Sequence, residues 1–168
     1  MWSLNAPAAT ASRSEREAYV KQWAALTISV FALLLAANGM FGGSNSSRVL
    51  NKTIEANNLW SWYQAKNVRA SMYGIASEQG GATADTFDKQ ALRLRGDMEE
   101  IQAKAKAAEA DRDHAKERSP WFSYAGMALQ LAIVLSSAAI LAVMMPLLWA
   151  SIAVGGAGLS LFLYAMVI

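Results

Sequence analysis

Two long stretches of this chain carry no charged residue. Residues 23–47 are 25 consecutive positions without Asp, Glu, Lys or Arg, and residues 121–168 are 48 more. A helix of about 20 apolar residues crosses the hydrocarbon core of a bilayer. The first stretch therefore predicts one transmembrane helix, at 23–41. The second stretch would reach about 72 Å as a single helix, which is too long for one span.

A proline divides the second stretch into two expected spans. Pro146 lacks a backbone N–H and is disfavoured inside a helix. We therefore expect transmembrane helices at 121–145 and 146–168, joined by a tight turn. The helix of the second span is expected to start at Ser119 and Pro120, because serine is a favourable N-cap and proline fits the first helical position.

The chain before the first span is a polar, amphipathic segment, residues 1–22. Ser14 and Glu17 have the spacing of a capping box, which predicts a helix that begins there and continues into the membrane. A cleaved signal peptide is the alternative, but the sequence around Asn38 is a poor cleavage site. We expect the segment to be retained.

A polar segment, residues 42–120, lies between the first and second spans. It holds 12 of the 15 Lys and Arg residues and 11 of the 13 Asp and Glu residues. Gly80 and Gly81 are a turn signal at its centre, near 80–84, and an arm of about 35 residues lies on either side. Two arms of equal length around a Gly-Gly turn predict a long, antiparallel, coiled-coil-like helical hairpin outside the membrane.

Both arms have a stripe of mainly apolar positions spaced three and four residues apart, which is typical of a helix–helix seam. In the second arm the positions are Phe87, Ala91, Leu94, Met98, Ile101, Ala105, Ala108, Arg112 and Ala115. In the first arm they are Leu50, Ile54, Asn57, Ser61, Ala65, Val68, Met72 and Ile75. We expect the two stripes to face each other. The expected fold class is an all-α integral membrane protein, with three transmembrane helices and this hairpin between spans one and two.

Composition excludes several classes of function. A formal net charge of +2 is too small to indicate a nucleic-acid partner. Without cysteine the chain has no disulfide or thiol nucleophile, and a single histidine cannot build a multi-histidine metal site. His114 lies three residues from both Asp111 and Glu117, but acids on a charged helix are more simply solvated side chains. We therefore expect no metal and no cofactor.

Three large aromatic residues fall within four positions of the first arm. Trp60, Trp62 and Tyr63 cannot share one helix face, because successive residues turn by about 100°. At least one ring must point away from the seam, where it would need a partner surface, and another copy of the chain is the most economical partner. The alternative is that the rings cover the hairpin itself. Asn57, close by, could fix the register of such a contact or be solvated.

The same region carries a recognisable motif. The stretch Trp60-Ser61-Trp62-Tyr63-Gln64-Ala65-Lys66, followed by Val68 and Arg69, resembles the W-x-[WY]-Y-Q-A-K signature of the bacterial membrane-protein family called domain of unknown function 4337. The layout of one span, a helical middle segment and two further spans resembles that family too. The resemblance implies an architecture and no reaction, and it marks Gln64 and Lys66 as motif positions beside the aromatic residues.

Small residues in the third span predict close packing of helices. Gly155 with Ser151, and Gly156 with Ser160, each form a small-xxx-small pair, which lets two helix backbones approach. The packing could join two copies of the chain or the three helices of one chain, and the sequence leaves both open.

The expected function is that of a non-enzymatic membrane scaffold. The sequence has no P-loop, dinucleotide fingerprint, nucleophile elbow or H-E-x-x-H motif, and no charged residue in a span for ion-coupled transport. We expect a homo-oligomer in the lipid bilayer, assembled through the hairpin and the small-residue spans. The alternatives are an accessory subunit or modulator of a larger membrane complex, and a passive oligomeric pore.

The expected location is the bacterial inner membrane, with several passes. Basic residues near the spans slightly favour a cytoplasmic hairpin, but the positive-inside rule is reliable only for loops of up to about 60 residues, and the segment 42–120 is longer. The resembling family often has basic residues at the turn between spans two and three, where this chain has Met144-Met145-Pro146-Leu147. Because the family pattern places that turn in the cytoplasm, we expect a periplasmic hairpin.

Three spans predict that the hairpin tip and the C-terminus lie on the same side of the membrane. A compartment-sensitive reporter inserted at Gly81 and one fused after Ile168 should therefore give the same signal, periplasmic for both. Opposite signals would mean that the last 48 residues cross the membrane once or re-enter it.

Overall fold

The structure, a computed structural model, describes residues 13–168, and this part of the chain is all-helical. It contains α1 (Arg13–Glu78), α2 (Ala84–Ala142) and α3 (Met145–Val167), and no strand occurs within these residues. All three helices are long and apolar enough to cross a membrane. Of the predicted polar segment 1–22, residues 1–12 lie outside the described residues.

The helices contribute to two compact units. The first consists of the described residues up to Asn45 together with Arg118–Ile168, and the second is Ser46–Glu117. Helices α1 and α2 run through both units, whereas α3 belongs to the first alone.

In the first unit the three helices pack through three apolar layers. The central layer contains Phe31 from α1 with Leu129 and Ala132 from α2. One flanking layer is built on Ala24, Ala139 and Leu148, with Trp23 packed against it. The other is built on Phe122, Ala125, Phe162 and Ala165, with Trp121 packed against it. Each layer draws on more than one helix, so the three helices are held together by side chains at helical spacing.

A buried polar link joins α2 and α3 inside this unit. The hydroxyl of Ser151 donates to the carbonyl oxygen of Ala132 at 2.8 Å, and the Oγ atoms of Ser136 and Ser151 are 2.5 Å apart. Both serines are fully buried. Because Ser151 has only one proton to give, Ser136 is the donor in their contact, and every hydroxyl proton of the pair is used.

In the second unit α1 and α2 run antiparallel and contact each other along their length. Tyr73 stacks on Phe87 with ring centroids 5.9 Å apart, and Lys52, far from the turn, forms an ion pair with Asp111 at 3.3 Å. The stripe predicted for the second arm forms the α2 side of this seam. Six of its nine positions are buried and the other three are half-buried.

The stripe predicted for the first arm is on the wrong face of α1. Leu50, Ile54, Val68, Met72 and Ile75 are all between 50% and 63% exposed. The inward positions are instead the following residues, all buried or half-buried: Val49, Lys52, Ala56, Leu59, Tyr63, Lys66, Ala70 and Tyr73. These also recur at spacings of three and four. Periodicity alone could not choose between two stripes of the same period on opposite faces of one helix.

The turn at Gly80 and Gly81 occurs where it was predicted. Both glycines have positive φ, 74° and 116°, which costs glycine nothing because it has no Cβ. The carbonyl oxygen of Thr83 then accepts from the backbone N–H of Thr86 and of Phe87, and α2 begins at Ala84.

The turn between α2 and α3 lies just before Pro146. Helix α2 ends at Ala142, Val143 adopts a positive φ of 53°, and α3 begins at Met145. Pro146 occupies the first turn of α3, where a backbone N–H has no helical acceptor to lose. The predicted end of the second span at residue 145 is therefore a few residues too late.

Proline at position 120 does not start a helix. Pro120 lies inside α2, which is continuous from Ala84, so the expected N-cap at Ser119 is wrong. A proline in a helix removes one backbone hydrogen bond, but its φ is compatible with the helix. Next to it, the side-chain amide of Asn45 on α1 donates to the hydroxyl of Ser119 at 3.0 Å.

The corrected seam predicts which positions crosslink within one chain. Ala70 and Ala91 are both 2% exposed and lie on the inner faces of α1 and α2. Because the chain has no cysteine, the double variant Ala70→Cys/Ala91→Cys should form an intramolecular disulfide on mild oxidation. The matched control Val68→Cys/Ala91→Cys should not, since Val68 is 54% exposed. A crosslink in the control alone would restore the stripe predicted from the sequence.

Candidate interaction surface

The aromatic cluster divides between the seam and the outside of α1. Trp60 is half-buried, and its indole Nε1–H donates to the carboxylate of Glu109 on α2 at 3.0 Å. Tyr63 is also half-buried and meets Trp60 edge to face, with ring centroids 5.5 Å apart. These two rings therefore take part in the contact between the arms, which is the alternative the sequence left open for them.

Trp62 is the ring that points away from the seam. Its side chain is 58% exposed, which confirms that at least one of the three aromatic residues faces outward. The Lys66 ammonium lies 5.5 Å from the centroid of the Trp62 ring, within the range of a cation–π contact.

Lys66 connects the outer ring to the seam. Its ammonium also forms an ion pair with Asp97 on α2. The hydrogen bond from Lys66, together with its positive charge, holds the pKa of the Asp97 carboxyl below its ordinary value. Lys66 is therefore directed towards α2, and Trp62 packs beside its ammonium.

Asn57 and Gln64 lie on the outward side of α1, where both are exposed. The sequence placed Asn57 at a seam position, and the correction to the first-arm stripe moves it to the outside. Neither residue contributes to the contact between α1 and α2.

The residues displaced from the seam form a mainly apolar strip on the outside of α1, which Asn57 and Ser61 interrupt. We call the exposed residues Leu50, Ile54, Ala65, Val68, Met72 and Ile75 the outer stripe. Trp62 lies three residues before Ala65, so its ring borders this surface. From Leu50 to Ile75 the outer stripe is about 38 Å long.

The two arms differ sharply in charge. Residues 46–78 of α1 contain 6 charged residues in 33, whereas residues 84–117 of α2 contain 16 in 34. Between Glu55 and Arg69 the only charged residue of α1 is Lys66, which turns to Asp97. The outside of α2 is thus suited to water, and the outer stripe of α1 is suited to another apolar surface.

Comparison with known families agrees with the aromatic motif. Residues 20–168 match the model of the family described as Domain of unknown function (DUF4337). The chain belongs to this family. The match confirms the resemblance seen in the sequence and covers α1 from residue 20 onward together with all of α2 and α3. No curated protein and no solved structure is significantly similar to the chain.

In this DUF4337 protein some small residues of α3 are buried among the helices of the chain, and others are exposed on its outside. Gly155 is buried, and a Cβ built on it would overlap the ring of Phe31, so this ring fills the space above the glycine. Gly156 is exposed with no atom within 4 Å of a built Cβ. Ser160 is exposed and donates to the carbonyl oxygen of Gly156 at 3.0 Å. Gly155 therefore serves packing within the chain, and Gly156 and Ser160 lie on its outside.

No metal-binding arrangement appears in the part of the chain that the structure describes. Residues 13–168 bring no three His, Cys, Asp or Glu side chains together in a way that could hold an ion. Asp111, one member of the triplet around His114, forms an ion pair with Lys52. Lys52 also pairs with Glu55, and these hydrogen bonds raise the pKa of Lys52. The carboxylates here bind lysines of the neighbouring turn or arm.

The periodicity of the sequence alone does not reveal the outer stripe as a surface. Its residues have the period of a helix–helix contact, which predicts seam positions for them. The difference in charge density between the two arms is the sequence feature that indicates this surface. An arm with few charges on every side has more apolar surface than one antiparallel partner can cover, so a second apolar face was to be expected on α1.

The opposite environments of two adjacent glycines give a matched test of the span packing. Gly155→Leu should lower the free energy of unfolding of the detergent-solubilised protein by about 1–3 kcal/mol, because Phe31 must leave a packed layer. Gly156→Leu should change it by no more than about 0.5 kcal/mol. Denaturant unfolding followed by helical circular dichroism measures both. Equal losses would contradict the packing of Phe31 on Gly155.

Proposed function

We propose that this DUF4337 protein is a non-enzymatic membrane scaffold that self-assembles into a homo-oligomer. The observation that carries the proposal is the outer stripe of α1, an apolar surface on a unit that is otherwise rich in charge. A scaffold needs surfaces that hold copies together and no reactive centre, and this surface is of that kind.

The composition of the outer stripe supports an interaction. Its longer apolar part, residues 65–75, is about 15 Å long, and Asn57 and Ser61 separate it from Leu50 and Ile54. Large apolar side chains grouped on one exposed face are costly in water and mark interaction sites. The Trp62 ring extends the surface, and tryptophan is among the residues most enriched at sites that dominate binding energy.

The charge pattern supports a second copy as the partner. Two identical surfaces bring identical charges together, so self-association is favoured where a surface has none. Lys66 is the only charged residue of α1 between Glu55 and Arg69, and Asp97 of the same chain neutralises it. Outer stripes can therefore meet without like-charge repulsion along their central part.

The spans supply the membrane attachment of the proposed scaffold. Three helices long and apolar enough to cross a bilayer support a multi-pass protein. We place it in the bacterial inner membrane, with residues 42–120 as a helical hairpin in the periplasm. The pattern of the family at the second turn supports this orientation, and Gly156 and Ser160 add a small-residue surface for contacts between copies in the bilayer.

An accessory subunit of a larger membrane complex is the other function that the outer stripe supports. The same apolar face would then contact a different protein, and Trp62 would anchor that contact. The two proposals differ in composition, because a scaffold purifies as one repeated chain and an accessory subunit purifies with a second chain.

Charge placed on the outer stripe should weaken self-association. Two differently tagged copies should co-purify from mild detergent, and Val68→Glu in both copies should reduce the amount that co-purifies about tenfold, because burying a carboxylate in an apolar contact is unfavourable. Leu92→Glu is the matched control. Leu92 is 56% exposed, against 54% for Val68, but it lies on α2.

The outcomes separate the two functions. Loss of co-purification with Val68→Glu alone is the result expected for self-assembly through the outer stripe. Equal losses with Leu92→Glu would contradict the specific surface. If wild-type copies do not co-purify and a second protein is recovered that Val68→Glu releases, the homo-oligomer is wrong and the accessory role is supported.

A further inference from the structure

One long polar side chain lies on the outward face of α2 in the first unit. Gln130 is exposed, twelve residues after Arg118 and twelve before Ala142, where α2 ends. Its position along the helix is thus about 18 Å from each end of this charge-free segment. Since the hydrocarbon core is about 30 Å thick, Gln130 is at the middle of the bilayer when α2 crosses it.

The shorter polar side chains of the spans find partners within the chain. Ser123, Ser137 and Ser160 are exposed, and each donates its hydroxyl to the backbone carbonyl four residues earlier. The buried amide nitrogen of Asn38 donates to the carbonyl oxygen of Phe122 at 3.0 Å, although the amide oxygen of Asn38 has no partner within the described part of the chain. Among residues 13–168 the Gln130 amide has no such bond. Lipid offers no hydrogen-bonding group at this depth, so the amide requires a partner from outside the chain.

Gln130 belongs to a stripe with the period of a helix–helix contact. The exposed positions of α2 on this face are spaced alternately four and three residues apart, and they are Ser123, Met127, Gln130, Val134, Ser137 and Leu141. This spacing keeps one face of a helix against a neighbouring helix over several turns. The polar residue is therefore at the centre of a surface that a second helix can follow.

We propose that Gln130 forms a reciprocal hydrogen-bonded pair with Gln130 of a second copy, so that α2 contributes to the contact between copies inside the bilayer. The proposal rests on the proposed self-assembly and names the site of contact in the spans. A primary amide has an acceptor oxygen and a donor NH₂ group, so two identical amides satisfy each other.

Symmetry places the two amides together. Copies inserted with the same topology are related by an axis along the membrane normal, so a given residue of one copy lies at the same depth as its counterpart. In a two-fold contact through α2, residue 130 meets residue 130. Polar side chains between membrane helices stabilise such contacts because neither group has an alternative partner in lipid.

Crosslinking tests the geometry. Gln130→Cys introduces the only thiol into the full-length chain, and oxidation in membrane vesicles should give a covalent dimer. Leu131→Cys is the matched control, because Leu131 is 52% exposed at nearly the same depth but about 100° away round the helix. It should give little or no dimer. Equal crosslinking of the two variants, or none at position 130, overturns the proposal.

Substitution tests the hydrogen bond. Gln130→Leu keeps a side chain of similar length without polar groups, and the self-association constant in detergent or lipid should fall about threefold to thirtyfold. Gln130→Asn, which keeps a shorter amide, should lose less. An unchanged or stronger association of Gln130→Leu would show that the amide does not hold the copies together.

The oligomeric state of the wild-type protein and the crosslinking of Gln130→Cys, measured in parallel, distinguish failure of the Gln130 pair from failure of the proposed self-assembly. If wild-type protein is oligomeric but the Gln130→Cys variant gives no dimer, the pairing at residue 130 is wrong and self-assembly stands. If wild-type protein is a monomer, both are wrong. If the thiol of the Gln130→Cys variant is labelled rapidly by a charged, membrane-impermeant reagent and gives no dimer, residue 130 faces water, and a pore replaces the amide pair.

Discussion

Alanine at the seam between α1 and α2 is the constraint on which the second unit depends. Ala56 and Ala70 on α1, and Ala91 and Ala105 on α2, are all exposed by 2% or less. Alanine lets two helix backbones approach closely. On α1 of this unit alanines occupy the buried positions, and the larger side chains are half-buried or exposed. Trp60 and Tyr63 lie at the border of the seam, and Trp62 and the outer stripe lie on the outside of α1. The surface proposed for self-assembly is a consequence of this division.

The sequence predicted the positions of the helices better than it predicted which face of each helix is buried. The charge-free stretches predicted three apolar helices, the two glycines predicted the turn at 80–81, and the three-four spacing of α2 predicted its buried side. These features depend on strong local signals, namely charge, positive φ and helical period. They are the same whatever the helix packs against.

The predictions that were wrong or left open depended on tertiary packing. Helix α1 has two stripes of one period, and only the fit against α2 selects the alanine stripe for the seam. Pro120 is compatible with a helix start and with a helix interior, and the chain on both sides of it is helical. Gly155 and Gly156 are identical in sequence terms, but only Gly155 lies beneath the ring of Phe31. In each case the deciding partner lies far away along the chain.

The distribution of polar groups links the two units to one function. Inside the first unit the hydroxyls of Ser136 and Ser151 satisfy each other and a backbone carbonyl, and in the second unit Lys66 is satisfied by Asp97. On the outside of α2 the Gln130 amide has no partner within the described residues, and on the outside of α1 the outer stripe is exposed. The proposed contact with a second copy would cover both.

The mass of the wild-type particle tests self-assembly most directly. The protein is extracted into lipid-containing polymer discs without detergent, and the particle is measured by native mass spectrometry after release from the disc. The predicted result is a single species whose protein mass is an integer multiple, two or more, of the mass of this chain. A particle that contains one copy, or one copy with a different protein, would contradict the account.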